Sequence, residues 1–163
     1  GVRSGTLPLP LIMGLETAVK HAVVCAEQTQ KHLENLCHHL VHGLKILQEQ
    51  LPELNIRFNS LIGNNVTHQS PGMVNFSFPP VEGEVVLHHL EQKNIFVGLG
   101  SACSAQSKEP SKILMGLGLS EEQARCSLRI SFSENNTLED VDQFLEAFGV
   151  AYQALYPTFL QKA

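Results

Sequence analysis

The sequence predicts an α+β fold: a long N-terminal helix followed by a small α/β sandwich with a mainly antiparallel sheet. Three observations predict it. Leu33, Leu36, Leu40, Leu44, Leu47 and Leu51 recur at steps of three and four, the period of one helix face. After Pro52 the period drops to two, in Asn55-Ile56-Arg57-Phe58, in Met73 to Phe78 and in Ser127 to Phe132. Short alternating strands among helices imply a sheet with one face on a core and the other left polar, with the helices gathered on the core side.

The first helix is expected over Leu11 to about Gln50, up to about 60 Å long at 1.5 Å per residue. That exceeds what a compact small domain requires, so the helix is expected to bridge this domain to another body. Gly14 and Gly43 read as interior weak points, and Pro52 ends the helix or follows closely on its end. A loop rich in Gly, Asn, Ser and Pro spans Gly63 to Gly72. In the strand after it Val74, Phe76 and Phe78 share one face, and Pro79-Pro80 closes it. Glu82 to Lys93 reads as a helix with Val86, Leu87 and Leu90 inward. Ile95-Phe96-Val97 is expected as a short strand leading into Gly98-Leu99-Gly100-Ser101-Ala102-Cys103. Pro110 suits the first turn of a short helix over Ser111 to Met115, because its missing N–H is not needed there. Ser120-Glu121-Glu122-Gln123 has capping-box spacing and starts another. The last helix is expected from Thr137 to Tyr156, with Val141, Phe144, Leu145, Phe148, Tyr152 and Leu155 as its stripe and Pro157 at its end.

Bulk composition narrows the function classes. A chain of 163 residues can bury roughly 70% of its unfolded surface without disulfide or metal staples. Charged residues are 17% of it, against about 25% in ordinary domains, which fits a surface covered in part by other protein. The net charge is −5 and the eleven Lys and Arg are scattered, so nucleic acid is excluded as an expected partner. No uninterrupted apolar run approaches the ~20 residues that span a bilayer, so no membrane is expected. No secretory leader is expected from these residues, although Gly1 to Gly5 read like the middle of a protein. Cys25, Cys37, Cys103 and Cys126 have the irregular spacing of reduced thiols, and the compartment is expected to be cytoplasm or an organelle matrix.

Two residues stand out chemically. In Ser127 to Phe132, Leu128, Ile130 and Phe132 point one way, so Arg129 points the other among small polar residues. It is either a solvated surface cation or a two-point clamp for a carboxylate. Cys103 sits on a run of small residues with no packing period, so it is either an exposed, reactive thiol or a half-buried loop cysteine of no consequence. Lys108 is near enough in sequence to favour the thiolate.

Gly100-Ser101-Ala102-Cys103-Ser104, followed by Glu109-Pro110-Ser111-Lys112-Ile113-Leu114, closely resembles the active-site loop of the longer-loop class of cysteine desulfurases. Arg3-Ser4-Gly5-Thr6-Leu7-Pro8, Val81-Glu82-Gly83-Glu84 and Ser127-Leu128-Arg129-Ile130-Ser131 resemble three further segments of that family, in the correct order. The resemblance runs from Arg3 to about Phe148. It implies the C-terminal small domain of a fold-type I enzyme that depends on pyridoxal 5′-phosphate (PLP). Residues 1–10 would be a loop segment of the large PLP domain, 11–50 a connecting helix, and 51–163 the small domain. Cys103 would take sulfur from L-cysteine as a persulfide, Arg129 would bind the substrate carboxylate, and Thr6 would reach the PLP phosphate across a homodimer interface. L-alanine would be the co-product, and a sulfur-acceptor protein such as an iron–sulfur scaffold the recipient. The family's Schiff-base lysine lies upstream of the Arg-Ser-Gly-Thr motif and has no match here, so the chain alone is expected to be inactive. A selenocysteine lyase, or a stand-alone binding module with the same small-domain fold, is the alternative.

The eight histidines raise a metal site. His21 with Cys25, and His38 with His42 beside Cys37, are spaced to share a helix face. No closing second pair exists, so no metal is expected. Cys25, Cys37 and Cys126 are read as helix or core-edge thiols, and His88-His89 as a surface pair.

Overall fold

A computed structural model describes residue 5 and residues 7–59, 71–99 and 110–160 of the chain. Helix α1 (Leu9–Gln50) leads, followed by strands β1 (Arg57–Phe58) and β2 (Met73–Ser77) and helices α2 (Gly83–Glu91), α3 (Lys112–Gly116) and α4 (Glu121–Arg125). Strand β3 (Ser127–Ser131) and helix α5 (Leu138–Leu160) complete it. The sheet is antiparallel in the order β1-β2-β3, with Phe58 opposite Phe76 and Asn75 opposite Arg129.

Alternation decides which face is buried. Val74, Phe76, Leu128 and Ile130 turn inward, and with Phe78 they meet Leu36, Leu40 and Leu44 of α1, Val86 and Leu90 of α2, and Phe144, Phe148 and Tyr152 of α5. Phe148 is the hub. Its ring meets Phe76 and Phe78 edge-on at 5.6 and 5.1 Å and stacks on Phe144 at 5.7 Å. Each such side chain contributes about 1.5–3 kcal/mol by leaving water. The Tyr152 hydroxyl, deep in this cluster, donates to the Glu53 carbonyl at 3.1 Å. The leucine stripe of α1 is thus real, but only over its second half.

Gly43, expected as a weak point, has a packing role instead. A Cβ there would collide with the Leu145 side chain of α5, and Gly149 of α5 receives Leu47 of α1 in the same manner. Helix α5 also passes its expected end. Pro157 lies inside the helix and removes only one late hydrogen bond, while Leu155, Tyr156 and Phe159 still pack on the core and carry the helix to Leu160. The strand expected at Ile95-Phe96-Val97 shrinks to a single bridge at Gly98. Asn94 takes a positive φ of 59° as α2 ends, Ile95 stays bonded to Leu90, and the backbone reaches β3 only at Gly98.

Residues 9–24 of α1 are exposed throughout, with Leu9, Leu11, Ile12, Met13, Leu15, Val19, Val23 and Val24 all in the open. By length and composition α1 is apolar enough to cross a membrane, although no uninterrupted apolar run in it reaches that length. The stretch is interrupted by isolated polar residues, such as the Glu16–Lys20 ion pair at 2.7 Å. Apolar residues lie around its whole circumference, the pattern of a helix covered on more than one side.

Candidate active site

The polar face of the sheet is where the sequence expects chemistry. Arg129 projects there from the middle of β3, half-buried, and its Nε is enclosed with no hydrogen-bond partner among the described residues. An enclosed guanidinium N–H without an acceptor is costly, and a carboxylate is the group whose geometry satisfies it. The solvated-surface reading of Arg129 does not describe its Nε, which is enclosed.

Gly98 completes the setting. It donates to the Arg129 carbonyl at 2.9 Å and accepts from the Arg129 N–H at 2.7 Å. The guanidinium lies over it, so that a Cβ at Gly98 would stand 3.0 Å from Nη2 and 3.3 Å from Nε. Sequence reasoning found the strand but not this pairing. The only signal available was a glycine directly after an apolar triplet.

On the other side of Arg129 the sheet carries Asn75 and, beyond it, Asn59. The Asn59 N–H donates to the Asn75 carbonyl at 2.8 Å. The Asn59 side-chain amide donates to Asn75 Oδ1 at 2.8 Å and Ser77 Oγ at 2.7 Å. Asn59 Oδ1 is a second enclosed polar atom with no partner among the described residues. Neither asparagine drew notice in the sequence, although the alternation of β2 already put Asn75 on the face of Arg129.

Cys103 and Thr6 lie outside the described residues, as do the 60–70 and 100–109 segments. The structure therefore brings together Arg129, Gly98 and the asparagine pair. Ser111, at the end of the Glu109-Pro110-Ser111 motif, is buried and caps α3 by accepting from the Leu114 N–H. The Ser120–Gln123 capping box forms as expected.

Two of the other thiols, Cys37 and Cys126, are not built for reaction. Burial, followed by the charges of Glu122 and Glu82, pushes the Cys126 thiol up to about 12. Burial also raises Cys37, despite a backbone hydrogen bond from Gly72 that favours its thiolate. Cys25 Sγ lies 3.8 Å from His21 Nε2 on the exposed half of α1. Among the described residues no group of three or more His, Cys, Asp or Glu could hold a metal ion. His88 pairs with Glu91 at 2.9 Å, and His89 with the Val85 carbonyl.

Comparison with known proteins gives a consistent result. The family model for class-V aminotransferases matches residues 1–144. Over 146 residues the chain is 36% identical to the cysteine desulfurase IscS of Clostridium botulinum, covering 90% of this chain and 35% of that protein. It is 43% identical over 140 residues to a mitosomal cysteine desulfurase of Trachipleistophora hominis, covering 84% and 30%. It is 34% identical over 146 residues to a cysteine desulfurase of Homo sapiens, covering 90% and 30%. Among solved structures, a NifS-like protein superposes with a TM-score of 0.74 at 27% identity, over 95% of this chain and 36% of that one. A NifS-like protein from Rickettsia africae gives 0.71 at 29%, over 93% and 37%. The chain spans about a third of the length of these relatives.

Proposed function

Because this chain belongs to the class-V aminotransferase family, we propose that it is the C-terminal part of a PLP-dependent cysteine desulfurase that turns L-cysteine into L-alanine and a persulfide on Cys103. The family implies the cofactor. The described residues fit the amino-acid end of that chemistry, since the enclosed Nε of Arg129 lacks the acceptor that a substrate carboxylate supplies. That observation carries the reading. Thr6 is assigned to the PLP phosphate, in a homodimer whose partner contributes the rest of that site. Residues outside this chain would hold the ring.

When bound, PLP supplies an electron sink beside the substrate's Cα, which makes the Cβ–S bond labile. Arg129 fixes the carboxylate and with it the direction in which that bond points. The Cys103 thiolate forms a new S–S bond as the Cβ–S bond breaks. The bonding pair remains on carbon, which takes up a proton and leaves as alanine. A thiolate suits this step because it attacks sulfur readily and the persulfide remains transferable to an acceptor protein such as an iron–sulfur scaffold. The relatives include bacterial and mitosomal enzymes, and cytoplasm or an organelle matrix is the proposed location.

The test uses the complete protein. Reacted with L-cysteine, it should carry one added sulfur atom on the peptide holding Cys103 and release alanine, and Cys103→Ser should abolish both. Alanine and sulfide release that survive Cys103→Ser would refute the assignment.

A further inference from the structure

Gly98 stands against the Arg129 side chain at a place where the backbone does not require a glycine. Its φ lies outside the left-handed region, unlike those of Gly72 and Gly118. The reason is contact. A Cβ at Gly98 would stand 3.0 Å from Nη2, 3.3 Å from Nε and 3.4 Å from Cζ, so its three nearest atoms all belong to the Arg129 guanidinium. Backbone hydrogen bonds of 2.9 and 2.7 Å join Gly98 to Arg129 and keep the two chains from parting to make room.

Those atoms identify an edge. A guanidinium can offer a carboxylate two parallel N–H groups in two ways, from its terminal nitrogens or from Nε together with Nη2. The Nε–Nη2 edge is the one that flanks Gly98, and Nε is the enclosed donor without a partner among the described residues. A methyl group at 3.0 and 3.3 Å would crowd the edge that carboxylate oxygens approach to about 2.7–2.9 Å.

We propose that the substrate carboxylate docks on the Nε–Nη2 edge of Arg129, and that Gly98 is the positioning residue that keeps this edge clear by having no side chain. The proposal deepens the function proposed above and rests on its assignment of Arg129. It also ties the two ends of the reaction to one stretch of backbone. Gly98 is bridged to Arg129 and precedes Cys103 by five positions, so the segment carrying the nucleophile departs from beside the carboxylate site.

The test measures kcat and KM for alanine formation from L-cysteine by the complete protein, with thermal midpoints. Wild type is compared with Gly98→Ala, Arg129→Lys and the double variant. Gly98→Ala needs no unusual backbone, so its midpoint should stay within about 3 °C of wild type. The added methyl weakens an interaction made equally in the bound substrate and the transition state. KM therefore rises about tenfold while kcat stays within about threefold. Arg129→Lys replaces the two-point edge by a single ammonium, which has no edge to keep clear. In that background Gly98→Ala should lower kcat/KM by less than about twofold, against about tenfold in the wild-type background. A Gly98→Ala protein with the wild-type KM overturns this proposal alone, and so does a loss equally large in the Arg129→Lys background. An Arg129→Lys protein with the wild-type KM, or a wild-type protein that makes no alanine, overturns the functional reading and this one with it.

Discussion

Replacing Gly83 by alanine tests why the Val81-Glu82-Gly83-Glu84 segment carries a glycine. Gly83 is the first residue of α2, where the helix start meets the backbone that opens β3. A Cβ there would run into the Ser127 carbonyl oxygen and stand 3.1 Å from the Ser127 carbon and 3.2 Å from the Arg125 oxygen. These are backbone atoms in a register fixed by the Ser77–Ser127 pair and by the Phe78 N–H bond to Cys126 at 2.8 Å, so they cannot swing aside as a side chain would. Helix propensity favours alanine by up to about 1 kcal/mol. Overpacking a fixed contact costs about 1–3 kcal/mol, and a backbone clash falls at the upper end. The net expectation is a loss of about 1–2 kcal/mol, or a fall of roughly 3–8 °C in the unfolding midpoint for a chain of this size. Thermal unfolding followed by far-UV circular dichroism measures it. Gly14→Ala is the control, because nothing lies within 4 Å of a Cβ there and the substitution should only raise helicity. A Gly83→Ala midpoint equal to or above wild type would refute the reasoning.

Three further expectations follow from buried or capping groups. Tyr152→Phe leaves the Glu53 carbonyl without its donor inside the core and should lower stability by about 1 kcal/mol in urea unfolding, with an unchanged denaturant slope. Cys126, 2% exposed and with its thiol pushed up to about 12, should resist alkylation at pH 8 at the rate of global unfolding, whereas fast labelling in the native state would contradict its burial. Asp140 closes a reciprocal cap at the start of α5, accepting from the Thr137 N–H while Thr137 Oγ1 accepts from its own N–H. Those bonds, the backbone one first, hold its carboxyl below the ordinary 3.8. Its stabilisation is therefore complete above the unfolded value and is lost as pH falls through the lower folded one. Asp140→Asn should have a lower midpoint than wild type at pH 7, and the gap should close on acidification below about pH 4.

The sequence was most legible where one periodicity controlled one element. The α1 leucines, the α5 aromatic stripe, the alternation of β2 and β3 and the Ser120 capping box each name their own partners by spacing, and the structure places them so. Legibility failed where a distant partner decides. Pro157 is a stop signal by local rules, yet Tyr156 and Phe159 pack on a core assembled from four other elements and carry the helix through it. Gly43 looks like a flaw until α5, a hundred residues later, presses Leu145 against it. Of the site, the face that Arg129 occupies was legible from alternation alone, but its pairing with Gly98 and the place of Asn59 were not. Their relevance comes from which strand lies beside which, and a single sequence does not state that order. Cys103 and Thr6 stand on resemblance, since both lie outside the described residues.

Helix α1 has one mechanical consequence. It is a single unbroken rod of 42 residues, about 63 Å by its rise. Its far half is anchored among Leu36, Leu40 and Leu44 beneath the sheet, while residues 9–20 are exposed throughout. A stiff shaft fixed at one end acts as a tiller. Whatever grips the free end sets the heading of the sheet, and with it the aim of Arg129, without touching either.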